Sequence, residues 1–172
     1  GAEPVSLAVR TVTHEFEETL GVRPLVGRGF LPEDSKVGAP SVALLSYGFW
    51  RSAYAADAGI VNRTVELDGK SYTIIGVMPK GFKFPLYSTS EVWLPIHEDG
   101  TAGGTTLRQI ELVARIPVTH QAAAQDQIAA LTSRIAEEQS PDSGLSARFQ
   151  SLGGDRVDTT VKQSLIVLAG AV

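Results

Sequence analysis

Val42-Ala43-Leu44-Leu45-Ser46-Tyr47-Gly48-Phe49-Trp50, followed by D-A-G-I-V-N-R-T-V-E-L-D-G-K-S-Y-T-I-I-G-V-M-P from Asp57 to Pro79, is the stretch that decides the fold. Val42 to Leu45 reads as a short apolar strand, and Ser46 is the N-cap expected of a helix from Tyr47 to Tyr54. In that helix Tyr47, Trp50 and Tyr54 fall at i, i+3 and i+7, which puts all three rings on one inward face. Thr64 to Leu67 and Lys70 to Val77 flank Asp68-Gly69, the dipeptide of a type I′ hairpin turn. No residue in the stretch is placed for chemistry.

Working outward, Val5 to Val12 alternates as a strand. Thr13 is expected to cap a helix from His14 to Leu20, with Gly21 ending it in the left-handed conformation. Val22 to Pro40, with Pro24, Pro32 and Pro40 among its glycines, reads as an irregular but ordered connection. Phe82, Phe84 and Pro85 lead to a strand at Val92-Trp93-Leu94-Pro95. Glu98 to Thr106 reads as a Gly/Thr-rich loop. Ile110, Leu112, Ala114 and Ile116 then alternate with Gln109, Glu111 and Arg115, the period of a half-buried strand that Pro117 stops. Thr119 is expected to cap a helix over Gln121 to Glu138, with Ala124, Ile128, Leu131 and Ile135 as its stripe. Ser140 to Gly144 reads as a turn, Ala147 to Leu152 as a returning strand, and the chain from Asp155 as helical. The fold class is α+β, a layer of strands and helices interrupted by a small β-rich insertion.

Composition sets the outer limits. A chain of 172 residues is one large domain or two small subdomains, able to bury roughly 70% of its unfolded surface without staples. Lys+Arg 15 against Asp+Glu 19 gives a net charge of −4, which offers no basic face to nucleic acid. With no cysteine there is no disulfide, thiol nucleophile or Cys-ligated metal. His14, His97 and His120 have no metal-ligand spacing. Glu17-Glu18, Glu33-Asp34 and Glu137-Glu138 read as solvated charge, because an acid–base pair needs carboxylates brought together from different elements. No phosphate loop, dinucleotide fingerprint or G-x-S-x-G is present. A hydrolase using Asp57, His97 or Glu33 therefore rests on little beyond titratable groups. Trp50 and Trp93 are by default core, since large aromatics supply most burial in small domains. The alternative is a ligand or lipid cleft lined by Trp50, Phe82, Phe84 and Trp93.

Leu165-Ile166-Val167-Leu168-Ala169-Gly170-Ala171-Val172 is an uninterrupted apolar run. A membrane helix needs roughly 20 such residues. The run is either the buried end of an amphipathic helix or the first turns of a membrane helix. No signal peptide is visible, and Gly1-Ala2-Glu3-Pro4 reads as the start of an excised fragment.

Taken in order, these motifs resemble the MacB-like periplasmic core domain of FtsX-type ABC transporter permeases. Leu20 to Phe30 fits L-G-x-x-P-x-x-G-R-x-F, with Glu33-Asp34 where acidic residues follow. Val42 to Trp50 fits V-x-x-L-S-x-x-x-W, and Asp57, Val61 and Arg63 fit D-x-x-x-V-x-R. Leu67-Asp68-Gly69 through Pro79 fits the hairpin, and Phe82, Phe84-Pro85 and Val92 to Pro95 complete the series. Gly76-Val77-Met78-Pro79-x-x-Phe82 with Trp93-Leu94-Pro95 is most similar to the acidobacterial-type permease group. Beyond Pro95 the likeness thins; Arg115-Ile116-Pro117-Val118-Thr119 lacks the glycine of the family's turn there.

The resemblance implies a non-enzymatic domain with a porter-like α/β sandwich subdomain and an inserted β-rich subdomain. On that reading residues 1–40 are the first part of the porter-like subdomain, 41–100 the insertion, 101–162 the second part, and 163–172 the start of a truncated membrane helix. The family's earlier strand and helix are not found, so the chain is expected to begin inside the domain with one sheet edge uncovered. No cofactor is implied in the domain itself; ATP is used by a cytoplasmic ATPase, separate or fused. The implied partners are that ATPase through the membrane region, a second permease copy, and a periplasmic adaptor or outer-membrane protein. The implied location is the periplasmic face of the cytoplasmic membrane.

Overall fold

The computed structural model describes residues 6–84, 89–102, 105–106, 109–138, 148–151 and 165–171. The chain forms two compact units, Gly1–Thr106 and Leu107–Val172. In the first, β1 (Val9–Val12), α1 (Phe16–Leu20), β2 (Val26–Gly27), β3 (Val42–Leu45), α2 (Tyr47–Tyr54), β4 (Thr64–Leu67), β5 (Lys70–Val77) and β6 (Val92–Pro95) build one six-stranded mixed sheet with its helices.

β3 and β5 are its centre and run parallel. β6 lies antiparallel to β3 on the far side, and β1 runs parallel to β6 at the edge. On its other side β5 carries two short partners in succession: β4 along Lys70 to Thr73, then β2 along Gly76 to Val77. The β4–β5 turn is the expected one. Asp68 and Gly69 both have positive φ, 49° and 75°, as type I′ requires.

Between β3 and β5 the register slips by one residue, so Ala43 faces Ile74 while Leu44 faces Gly76. Ile75 is the extra residue of a bulge. Its insertion returns Val77 to the face already occupied by Ile74. Ala43, Leu45, Ile74, Val77, Val92 and Leu94 thus share one core, which α2 covers with Trp50. Ser46 caps that helix: its Oγ accepts from the Phe49 N–H at 3.0 Å. Every residue of β3 and β6 is buried, because the sheet is covered on both faces there.

Several expectations need correction. β1 and β2 join the same sheet as the strands of residues 41–100, so a boundary at residue 40 would cut two hydrogen-bonded ladders, β1–β6 and β2–β5. Thr13 does not cap α1: the helix starts at Phe16 with no side-chain cap, and the Thr13 carbonyl accepts from Phe16 N at 3.2 Å. Its C-terminus is as expected. Gly21 is left-handed, and Gly21 N and Val22 N donate to the Glu18 and Glu17 carbonyls, a Schellman pair. The loop from Glu98 holds a small hairpin, β7 (Thr101–Ala102) with β8 (Thr105–Thr106).

The second unit contains β9 (Gln109–Arg115), α3 (Gln121–Glu138), β10 (Arg148–Ser151) and β11 (Leu165–Ala171). β9, α3 and β10 stand where the pattern put them, and a 3-10 turn at Val118–His120 leads into α3. The Thr119 hydroxyl lies 3.1 Å from His120 Nδ1. The expected turn at Ser140 to Gly144 and the helix from Asp155 lie outside the described residues. The apolar run is not helical: β11 pairs antiparallel with β9 along its whole length and with β10 on its other side. A short run of Leu, Ile and Val suits a buried strand as well as a helix, and periodicity alone does not separate the two. Among the described residues no helix is long and apolar enough to cross a membrane.

Candidate functional site

Three of the four aromatics proposed for a cleft come together, and the fourth does not. Trp93 lies on the face of β6 opposite Val92 and Leu94, and its ring centroid is 5.5 Å from that of Phe82. Phe82 and Phe84 each meet Phe16 of α1, at 6.4 and 6.2 Å, and Phe16 meets Phe30 at 6.0 Å. The Phe84 carbonyl accepts from Trp93 Nε1 at 3.2 Å and Ser90 Oγ at 3.0 Å, which ties the loop to the strand. Trp93 is fully buried. Trp50 belongs to the core on the other face, beside Tyr47, and its Nε1 donates to the Asp57 carbonyl at 3.0 Å. The four residues therefore serve two cores on two faces of the sheet.

The titratable candidates are likewise dispersed. Asp57 accepts from Gly59 N and pairs with Arg63 at 2.6 Å, closing the turn that seats the fully buried Ile60. His97 closes a turn in which Asp99 accepts from both the backbone and the hydroxyl of Thr101. Those bonds hold the Asp99 carboxyl below its usual range. Glu33 is exposed on the 3-10 turn at Pro32–Ser35. Among the described residues no three His, Cys, Asp or Glu side chains gather as a metal site.

What pattern reading missed is a pair of buried carboxylates. Glu17 and Asp34, read as solvated charge, are only 8% and 6% exposed. Glu17 Oε1 accepts from the Phe30 N–H at 2.9 Å. Burial pushes its carboxyl up; the Phe30 bond opposes this, the Asp34 charge adds to it, and His14 offsets part of it. Asp34 takes Arg28 in a two-point pair, 2.6 Å to Nη1 and 3.1 Å to Nη2, and accepts from Leu31 N at 2.8 Å. The hydrogen bond to Asp34 raises the Arg28 guanidinium further.

Glycine makes this tight connection possible. A Cβ on Gly29 would sit 2.5 Å from Glu17 Oε1, and one on Gly27 would sit 2.1 Å from the Ile75 carbonyl oxygen. Together Gly27, Arg28, Gly29 and Phe30 turn the connection onto α1 and β5. One signal for Glu17 is present in the sequence: it lies one residue from Phe16 and three from Leu20, on the inward side of a short helix.

Residues 1–136 of the chain match the MacB-like periplasmic core domain. No curated protein matches it.

Proposed function

The chain belongs to the MacB-like periplasmic core domain family, a non-catalytic domain of ABC permeases, and from that premise we propose that it acts as a transmission and docking element. ATP is bound and hydrolysed by a cytoplasmic ATPase, fused or separate. Membrane helices of the permease, working as a homodimer, carry the resulting motion to this domain. The domain then acts on a periplasmic adaptor, an outer-membrane partner or an exported substrate. Coupling of this kind needs two arrangements with different contacts, and a domain that keeps its shape under load passes displacement on.

The observation that carries the reading is the family match over residues 1–136. The sheet covered on both faces and the connection held by Glu17, Arg28 and Asp34 are consistent with a stiff element. The finer parts of the resemblance, a porter-like subdomain arrangement and the acidobacterial-type grouping, belong to the same proposal. The residues from Gly76 to Phe82 and from Trp93 to Pro95 support the grouping, and the ordered motif series from Val12 to Pro95 supports the subdomain arrangement.

Protease accessibility of the native full-length protein in spheroplasts, after membrane fractionation, tests it. The protein should pellet with membranes and this domain should be clipped from outside. A soluble protein, or one protected from external protease, would sink the reading.

A further inference from the structure

Where β4 leaves β5 and β2 takes over, the surface is indented. A depression of about 390 Å³ lies there, lined among others by Gly27, Val42, Val61, Asn62, Thr73 and Ile75. Its volume is at the lower end of ligand sites. Val42 and Ile75 are buried apolar residues, and Val61 is half-buried. Two uncharged polar side chains line it, the exposed Asn62 amide and the half-buried Thr73 hydroxyl, and neither has a hydrogen-bond partner among the described residues. Arg28 also lines it, but its guanidinium is engaged by both Asp34 oxygens and the Gly29 carbonyl. Asn62 itself is held in the left-handed region, φ 69°, by its N–H to the Ile74 carbonyl at 2.8 Å. Asn tolerates that conformation, so the backbone fixes where the amide starts.

We propose that this depression binds a neutral, extended peptide segment. One branched aliphatic side chain sits over Val42 and Ile75, and the adjoining peptide bond pairs with the Asn62 amide, Thr73 adding a hydroxyl contact. The chemistry selects this occupant. A side-chain amide offers a donor and an acceptor together, which a peptide bond answers with an acceptor and a donor. An anion finds the nearby guanidinium already neutralised, and the Asn62 and Thr73 polar groups have no partner to find on a lipid chain. The inference goes beyond motion transfer and does not depend on it.

The test is a titration of the full 15N-labelled chain with N-acetyl-L-leucine N-methylamide, followed by backbone amide shifts. Saturable shifts at Gly27, Arg28, Val42, Asn62 and Thr73, with a millimolar-range Kd, are expected. Asn62→Gly keeps the left-handed backbone and removes the amide; it should weaken binding about tenfold, the weight of one to two hydrogen bonds. The methyl ester of N-acetyl-L-leucine, which lacks the second N–H, should also bind several-fold more weakly to the unmodified chain, a comparison that needs no variant to fold. Shifts that are absent or lie elsewhere would overturn the proposal. So would equal affinity in Asn62→Gly, equal binding of the ester, or tighter binding of N-acetyl-L-leucine carboxylate, which would make this an anion site.

Discussion

The two sides of the first unit are held together by different physics. On the α2 side, Ala43, Leu45, Trp50, Ile60, Ile74, Val92 and Leu94 close a dry core, whose polar contacts include the Ser46 cap and the Trp50 Nε1–Asp57 bond. On the α1 side, the Val22–Pro40 connection contributes Phe30 to an aromatic cluster but is positioned by two carboxylates and two close-packed glycines. The first side gains its stability from area removed from water. The second gains its shape from hydrogen bonds that work only with particular partners. A core of this kind tolerates exchange among apolar residues of similar volume, whereas Gly27 and Gly29 leave no room even for an added Cβ.

The sharpest break of that contrast is in the dry core. Leu45→Ala should cost about 2–5 kcal/mol, in the upper half because Leu45 is fully buried and the two-sided cover leaves little room to collapse. Urea denaturation checks it, and Leu45→Met should cost less than about 1.5 kcal/mol if volume is what matters. Next comes a pair of glycines with almost the same backbone angle. Gly27 and Gly69 have φ of 76° and 75°, but a Cβ on Gly69 meets nothing within 4 Å. Gly69→Ala should therefore cost only the left-handed strain, about 1 kcal/mol. Gly27→Ala adds the collision with the Ile75 carbonyl and should cost about 3 kcal/mol or more. Equal losses in the two variants would mean that β2 shifts freely and the connection is not pinned.

The same contrast explains what the sequence discloses. The Ser46 cap, the Gly21 stop, the Asp68-Gly69 turn and the strands at Val42–Leu45 and Val92–Pro95 are legible because each is written within a few neighbouring residues. The bulge at Ile75 is not, since it is defined only against Ala43 and Leu44 on another strand. Nor is the hydrogen bond that Glu17 accepts, whose partner Phe30 lies 13 residues on. The division of Trp50 from Phe82, Phe84 and Trp93 also stays hidden, because aromatic content does not say which face of a sheet a ring will take. The strand at Leu165–Ala171 was ambiguous for a different reason: eight apolar residues in a row carry no period.

A smaller loss tests the Arg28–Asp34 pair. Asp34→Ala removes three hydrogen bonds, but Arg28 and Leu31 are exposed enough to recover water, so the cost should be about 1–2 kcal/mol. Asp34→Asn keeps an acceptor for the Leu31 N–H and should recover about half of that loss. Raised salt should weaken the wild type more than Asp34→Ala, since only the wild type has the charge pair to screen.

The smallest effect is the most specific, because it depends on pH. Glu17 is buried against the Phe30 N–H, and its carboxyl is raised above the ordinary value of 4.5. In the window from 4.5 up to that raised value the native chain holds this proton more tightly than the unfolded chain does. The contribution of Glu17 is therefore fully present below 4.5 and is lost as pH rises through the window, after which it stays constant. Glu17→Gln keeps an oxygen to accept from Phe30 but cannot titrate, so the variant should lose that falling segment. The wild-type minus variant difference in unfolding free energy, measured by urea melts from acid to neutral pH, should decline across the window and then level. His14 and Asp34, the other charges facing the site, are present in both chains, so the difference isolates the Glu17 carboxyl. A flat difference would mean that Glu17 reaches water in solution. The charge-held side would then be looser than its 2.9 Å hydrogen bond to Phe30 implies.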